Sequence, residues 1–254
     1  MAERSGYYPC TCIAVDVQAY GGNNDRRQSD VQHDLPRLLS RAAAKAGVDS
    51  SEWQIQKKGD EVLALAPLDG SASRLVDNYI RHLVFELAQF NEIRVAHARM
   101  RLRAAIHQGL AEHADNGFAG RTVVETCRLL NSTVAHVALK AADDANLALL
   151  LSDRVYNEWI LGGHTTLVPA VFREVAVEEK EYAASAWLWV PGGSAHRLDL
   201  GPGPASPPAP GRGAAHGAEP QGRTTVHGEQ VSVTSFNAPV DLRGGVIGFG
   251  GGHG

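Results

Sequence analysis

Apolar and polar positions follow two periods along this chain. Cys12, Ile13, Ala14 and Val15 form an unbroken apolar run closed by Asp16, which reads as a buried strand. Leu35, Leu38, Leu39 and Ala42 then fall on one helical stripe. Two strand-like runs, Trp53 to Gln56 and Val62 to Ala66, flank a Lys-Lys-Gly-Asp turn. Val76, Ile80, Leu83, Leu87 and Phe90 return to three- and four-residue spacing and predict a second helix. A strand over Met100 to Ile106, a helix from Thr122 to Ala141, a strand over Leu147 to Leu151, a short helix ending at Ile160 and strands over Val171 to Val177 and Ala186 to Val190 complete the pattern. Helices alternating with strands and hairpins predict an α+β domain whose sheet is covered on one face.

The periodicity stops near Val190, so residues 1–191 are read as the domain. Residues 192–225 are rich in Pro, Gly and Ala and nearly free of large apolar groups, the composition of a disordered, partly extended linker. Residues 226–254 regain β-formers, Val231, Val233, Phe236, Val240, Val246, Ile247 and Phe249, broken by Asn-Ala-Pro and Gly-Gly. Two readings stand for this tail: a disordered Gly-rich end, or short segments that stack between chains by β-pairing and so recruit a protein partner.

Composition narrows the context. The net charge is −4 and three cysteines occur in 254 residues, none at zinc spacing, which fits a reduced, cytoplasmic compartment. No apolar run approaches the ~20 residues needed to span a bilayer, and the N-terminus lacks an export signal. Lys57 and Lys58 alone do not make a polyanion patch, so neither a membrane nor a nucleic acid is expected as partner.

The candidate chemistry begins with two carboxylates. Asp16 ends the first strand and Asp60 follows Gly59 at the tip of a hairpin; if those strands were neighbours, the acids would face each other. Two carboxylates at strand tips repel unless a cation lies between them, and Mg²⁺ is commonly held by one or two carboxylates plus substrate phosphates. A strand end and a Gly-Asp turn account for the same residues without any ligand. Arg101 and Arg103 alternate on one strand and are expected to share its solvated face. His107 is expected to be a packed, hydrogen-bonded histidine rather than a base, and Arg128 could pair with Glu125 or lie along its helix.

The order of three segments adds to this. Asp16-x-x-x-Tyr20, then Lys57-Lys58-Gly59-Asp60, then Arg103 to Gly109 (RAAIHQG) and Gly117 to Leu130 (GFAGRTVVETCRLL) resembles the class III nucleotidyl cyclase catalytic domain, over about residues 8–190. The tail weakly resembles bacterial amyloid-signalling motifs through its N-x-P-V and G-V-x-G elements. The cyclase resemblance implies a ferredoxin-like α+β fold and a head-to-tail homodimer with sites between subunits. It also implies Mg²⁺ or Mn²⁺ held by Asp16 and Asp60 with the backbone carbonyl of Val17. Arg128 would stabilise charge on the transferring phosphoryl group, and Lys180 is a loose candidate for holding the triphosphate.

The departures carry as much information. The asparagine that the family places four residues before the arginine is Val124 here, which cannot donate a hydrogen bond. Losing one preorganised donor typically costs on the order of 100- to 1000-fold in rate. The base-reading pair falls on Gln56 and Gly117; glutamine both donates and accepts, so it chooses no purine. The residue after Lys180, usually glycine, is Glu181. Three functions follow as expectations: a triphosphate-binding signalling domain with weak or no cyclase activity, an active cyclase of altered base specificity, or a non-catalytic dimeric adaptor acting through its tail.

Overall fold

The computed structural model describes residues 6–201. The chain divides into two units, Met1–Ala209 and Pro210–Gly254, and the tail segment of interest lies outside the described residues, as does most of the expected linker.

Strand β1 (Tyr8–Val17) leads to helix α1 (Asp25–Lys45), then to the hairpin of β2 (Gln54–Lys58) and β3 (Glu61–Pro67). A long helical segment follows, beginning as α2 (Ala72–Arg74), passing through a π-helical stretch (Leu75–Tyr79) and continuing as α3 (Ile80–Glu92). Strand β4 (Leu102–Ala114) turns into the short β5 (Gly117–Ala119), and helices α4 (Arg121–Leu130) and α5 (Thr133–Ala141) return the chain to β6 (Leu147–Ser152). Helix α6 (Asp153–Val155) runs into a second π-helical stretch (Tyr156–Leu161), and the hairpin of β7 (Arg173–Glu179) and β8 (Tyr182–Trp189) closes the sheet. The strand order is β2-β3-β1-β4-β6-β8-β7, with β5 paired to β4, and every pairing is antiparallel except β4 with β6.

The sheet is covered on both faces, not one. Ile13, Val15 and Val17 point into a core shared with Leu35 and Leu38 of α1 and Leu83 and Leu87 of α3. Cys10, Cys12 and Ala14 point the other way, into a core shared with Leu129 and Leu130 of α4 and Leu139 of α5. Alternate residues of a strand face opposite sides, so a strand buried on both sides shows a continuous apolar run, as in a sheet with helices on each face. The run at residues 12–15 therefore carried this information, but a one-faced and a two-faced cover differ only in where the later helices dock.

The helix expected over 122–141 is two helices. Ser132 donates its hydroxyl to the carbonyl of Leu129 (2.8 Å) and accepts from the amide of Ala135 (3.3 Å), ending α4 and capping α5 with one side chain. Serine at such a position satisfies helix-end groups that would otherwise be orphaned. The packed region also runs past the boundary expected at 191. Ala195 is buried, Leu198 and Leu200 pack against the α4–α5 core, and Arg173 donates to the carbonyls of Ala195 (3.2 Å) and Leu198 (2.8 Å).

Buried polar groups tie the layers together. Asn91, at the end of α3, donates to the carbonyl of Met100 and to Asn146 and accepts from the Met100 amide, at 2.7–2.8 Å. Gln108 donates to Thr11 and accepts from the indole of Trp159, both at 2.9 Å. Arg101 is not on a solvated face: its guanidinium donates to the carbonyls of Leu139, Ala142 and Ala145 at 2.5–2.7 Å, satisfying the C-terminal end of α5. No helix among the described residues is long and apolar enough to cross a membrane.

Candidate functional site

Seven positions were singled out by the sequence, and they fall into three groups in the structure. The first forms at the end of β1. Pairing of β1 with β3 sets Asp16 opposite Glu61, so Asp60, one residue earlier in the hairpin turn, lies near enough to the Asp16 carboxyl group to help raise its pKa. Gly59 takes φ +63° at this tip, the left-handed conformation the turn requires. Val17 follows as the last residue of β1, its side chain buried in the α1–α3 core.

Asp16 has a partner the sequence did not announce. Register places Arg103 of β4 directly opposite it, and the two side chains form an ion pair. Arg103 is 6 % exposed and also reaches the ring of His136 on α5, so the expectation of a solvated Arg103 is overturned. β1 lies between β3 and β4, which brings the acidic tip to one side of Asp16 and the arginine to the other. Burial pushes the Asp16 carboxyl up, to about 7, against the pull of Arg103, and the nearby Asp60 adds to the rise.

This arrangement fits a divalent cation. The Oδ1 atom of Asp16 is buried with no partner, although the other oxygen is held by Arg103. An unpartnered buried carboxylate oxygen beside a second carboxylate is a costly arrangement that a cation would relieve. Among the described residues no group of three or more His, Cys, Asp and Glu side chains forms a metal site. The protein's share of a coordination sphere here would be two carboxylates and backbone, with the rest left to water or phosphate oxygens, as is usual for Mg²⁺.

The second group joins Gln56 of β2 to Gly117 of β5. A Cβ placed on Gly117 would lie 2.5 Å from the Gln56 amide nitrogen and 2.6 Å from its oxygen, so the amide lies flat against the glycine. Gly117 takes φ +114°, which side-chain-bearing residues rarely adopt. The Gln56 amide fills the space that a side chain at 117 would occupy.

The third group forms where α4 meets the β7–β8 turn. Arg128 does not pair with Glu125; it donates to Glu181 at 2.8 Å across the turn. Lys180, exposed and at φ +55°, is the other residue of that turn. Glu125 is already engaged by Arg121 (2.5 Å) and by His107 (3.0 Å), which is half-buried in the middle of β4 rather than in a loop. Burial pulls His107 below the ordinary histidine range despite Glu125, and its Nδ1 has no partner. Glu181 and Glu125 face a cleft of about 470 Å³ lined by His107, Arg121, Val124, Glu125, Arg154 and Glu181, among others; Arg128 and Lys180 lie beside it rather than in its lining. Val124 is 47 % exposed and offers only methyl groups there. Among the described contacts none joins Arg128 to the Asp16–Asp60 pair.

Arg103 and Glu181 are the site residues whose roles sequence reasoning misread or passed over, whereas His107 is packed and bonded to Glu125 as expected. Arg103 and Glu181 depend on strand register or on a hairpin meeting a helix, and neither leaves a local signal.

No protein-family model and no curated protein matches this sequence. Solved structures do resemble its fold. An adenylate/guanylate cyclase/hydrolase from Silicibacter pomeroyi superposes with a TM-score of 0.54 at 22 % identity, covering 73 % of this chain and 98 % of that one. The guanylate cyclase domain of RhGC from Catenaria anguillulae, solved with GTP, gives 0.50 at 14 % identity over 73 % and 98 % of the two chains. A bacterial light-regulated adenylyl cyclase gives 0.51 at 11 % identity over 77 % and 95 %. The described residues of this protein have the mixed α+β fold of the class III adenylate and guanylate cyclase domains.

Proposed function

We propose that this domain binds a nucleoside triphosphate together with Mg²⁺ or Mn²⁺ and serves intracellular signalling with weak or no cyclase activity. The observation that carries the reading is the Asp16–Asp60 pair with the unpartnered Oδ1 of Asp16. Asp16 and Asp60 would hold the metal, with the carbonyl of Val17 beside them. Bound there, the cation would neutralise the phosphate oxygens and orient the triphosphate.

The chain's own residues define the limits of the chemistry. Arg103 holds one oxygen of Asp16 and fixes the direction of the other. Arg128 is the candidate for charge on the phosphoryl group, but in this structure its guanidinium is engaged by Glu181. Val124 provides no hydrogen bond where the resemblance implies an asparagine, which removes a positioning contact rather than the means of binding. Gln56 over Gly117 offers an amide that suits several base edges. A head-to-tail homodimer would bring the acidic pair of one copy to the α4 side of the other, completing a site that one copy holds in separate parts.

The test is to incubate the full chain with ATP, GTP, CTP and UTP in turn with Mn²⁺. Cyclic monophosphate and pyrophosphate are sought by mass spectrometry, and binding is followed by calorimetry. Binding that needs the metal and is lost in Asp60→Ala, with little or no product, is the expected result. Ready turnover would establish an active cyclase of altered base specificity instead. No binding of any triphosphate refutes the nucleotide reading and leaves a non-catalytic adaptor.

A further inference from the structure

We infer that Glu181 is an affinity-setting residue: its carboxylate occupies Arg128 and holds down the attraction of the α4 side of the cleft for a polyphosphate. The inference rests on the nucleotide reading above and deepens it. Two arginines, Arg121 and Arg154, line the cleft, and each has a carboxylate at hand. Arg121 pairs with Glu125 and Arg154 approaches Glu158 at 3.9 Å, each four residues along its own helix. The Arg128–Glu181 pair is different, because it joins α4 to a hairpin turn 53 residues away.

The geometry makes this pair easy to open. Glu181 is 69 % exposed, while the Arg128 side chain is 22 % exposed and its Nε is buried without a partner. Most of the Arg128 side chain is thus covered, and Glu181 reaches its guanidinium from a two-residue turn with Lys180 at a left-handed φ. An exposed ion pair of this kind contributes little to folding, so the protein does not need it for stability. Its effect on an incoming polyanion is larger, because Glu181 cancels one cation and also repels every phosphate charge that approaches. With the carboxylate removed, Arg121 and Arg154 in the lining, together with Arg128 and Lys180 beside it, would present a more positive face.

The experiment titrates the full chain with inorganic tripolyphosphate by calorimetry at two salt concentrations. Glu181→Gln, which keeps the shape and removes the charge, is expected to bind roughly three- to tenfold more tightly than the native chain. The gain should be larger at low salt and the thermal midpoint unchanged. Glu181→Asp, which keeps the charge, should stay near the native affinity. Adding Arg128→Ala to Glu181→Gln should erase the gain. Unchanged or weaker binding by Glu181→Gln overturns the inference, as does a gain that survives loss of Arg128. If neither chain binds tripolyphosphate, the inference fails while the nucleotide reading is judged separately, from the metal-dependent triphosphate titration of the native chain.

Discussion

Replacing Gly117 by alanine tests how Gln56 and the β5 backbone share one space. Two costs are expected. The backbone holds φ +114°, and forcing an L-residue into positive φ costs about 1–2 kcal/mol. The new methyl would also stand 2.5–2.7 Å from three atoms of the Gln56 amide. That amide is the far end of a flexible side chain, so it can swing away, at about 0.5–1 kcal/mol for a poorer rotamer and lost contacts. Gly117→Ala should therefore lower stability by about 1.5–3 kcal/mol. Urea unfolding followed by circular dichroism would read the change, since a domain of this size shifts its midpoint by about 2–4 °C or a comparable urea increment per kcal/mol. Repeating the substitution in a Gln56→Ala background removes the steric part and keeps the backbone part, leaving about 1–2 kcal/mol. A cost below about 0.5 kcal/mol would refute the backbone argument. The same cost in both backgrounds would refute the contact with Gln56.

Three further outcomes are expected. Asp60→Ala should leave stability nearly unchanged, whereas Asp16→Ala should cost about 3–5 kcal/mol because it strands the buried Arg103; equal effects in denaturant titrations would contradict the ion-pair geometry. Asn91→Ala should cost about 2–4 kcal/mol, since it removes the side chain that satisfies both backbone groups of buried Met100, and a loss under 1 kcal/mol by thermal unfolding would contradict that role. His107 is held below its usual range by burial, so folding favours its neutral form. The stability it contributes is full above the unfolded value of about 6.5 and is lost as pH falls through the window beneath it, at no more than about 1.4 kcal/mol per pH unit for one proton. His107→Gln should flatten that part of the stability–pH curve between pH 7 and 5, and an unchanged slope would show that His107 is not its source.

How much of the site was legible depends on how local each signal is. Asp60 could be placed because Gly-Asp between two β-prone runs is turn chemistry written in four adjacent residues. Asp16 could be placed because an apolar run ends on it. The Ser132 junction was misread because Thr122 to Ala141 keeps helical spacing through it, and only the capping geometry shows that one helix stops and another begins. Ala195, Leu198 and Leu200 are too sparse to make a pattern in the sequence, yet they pack on a core built elsewhere.

Taken alone, the sequence determined the element order, the hairpin that carries Asp60 and the α+β class, because these follow from periodicity and turn residues a few positions apart. The tertiary structure decided what those residues meet. Arg103 stands beside Asp16 because the antiparallel register of β1 with β4 puts them opposite each other, 87 residues apart. Gln56 covers Gly117, and Glu181 takes Arg128, because a short strand and a hairpin turn reach elements far away in the chain. Register and docking are set by how two buried sheet faces are filled all at once, and that constraint belongs to the whole core rather than to any stretch of sequence.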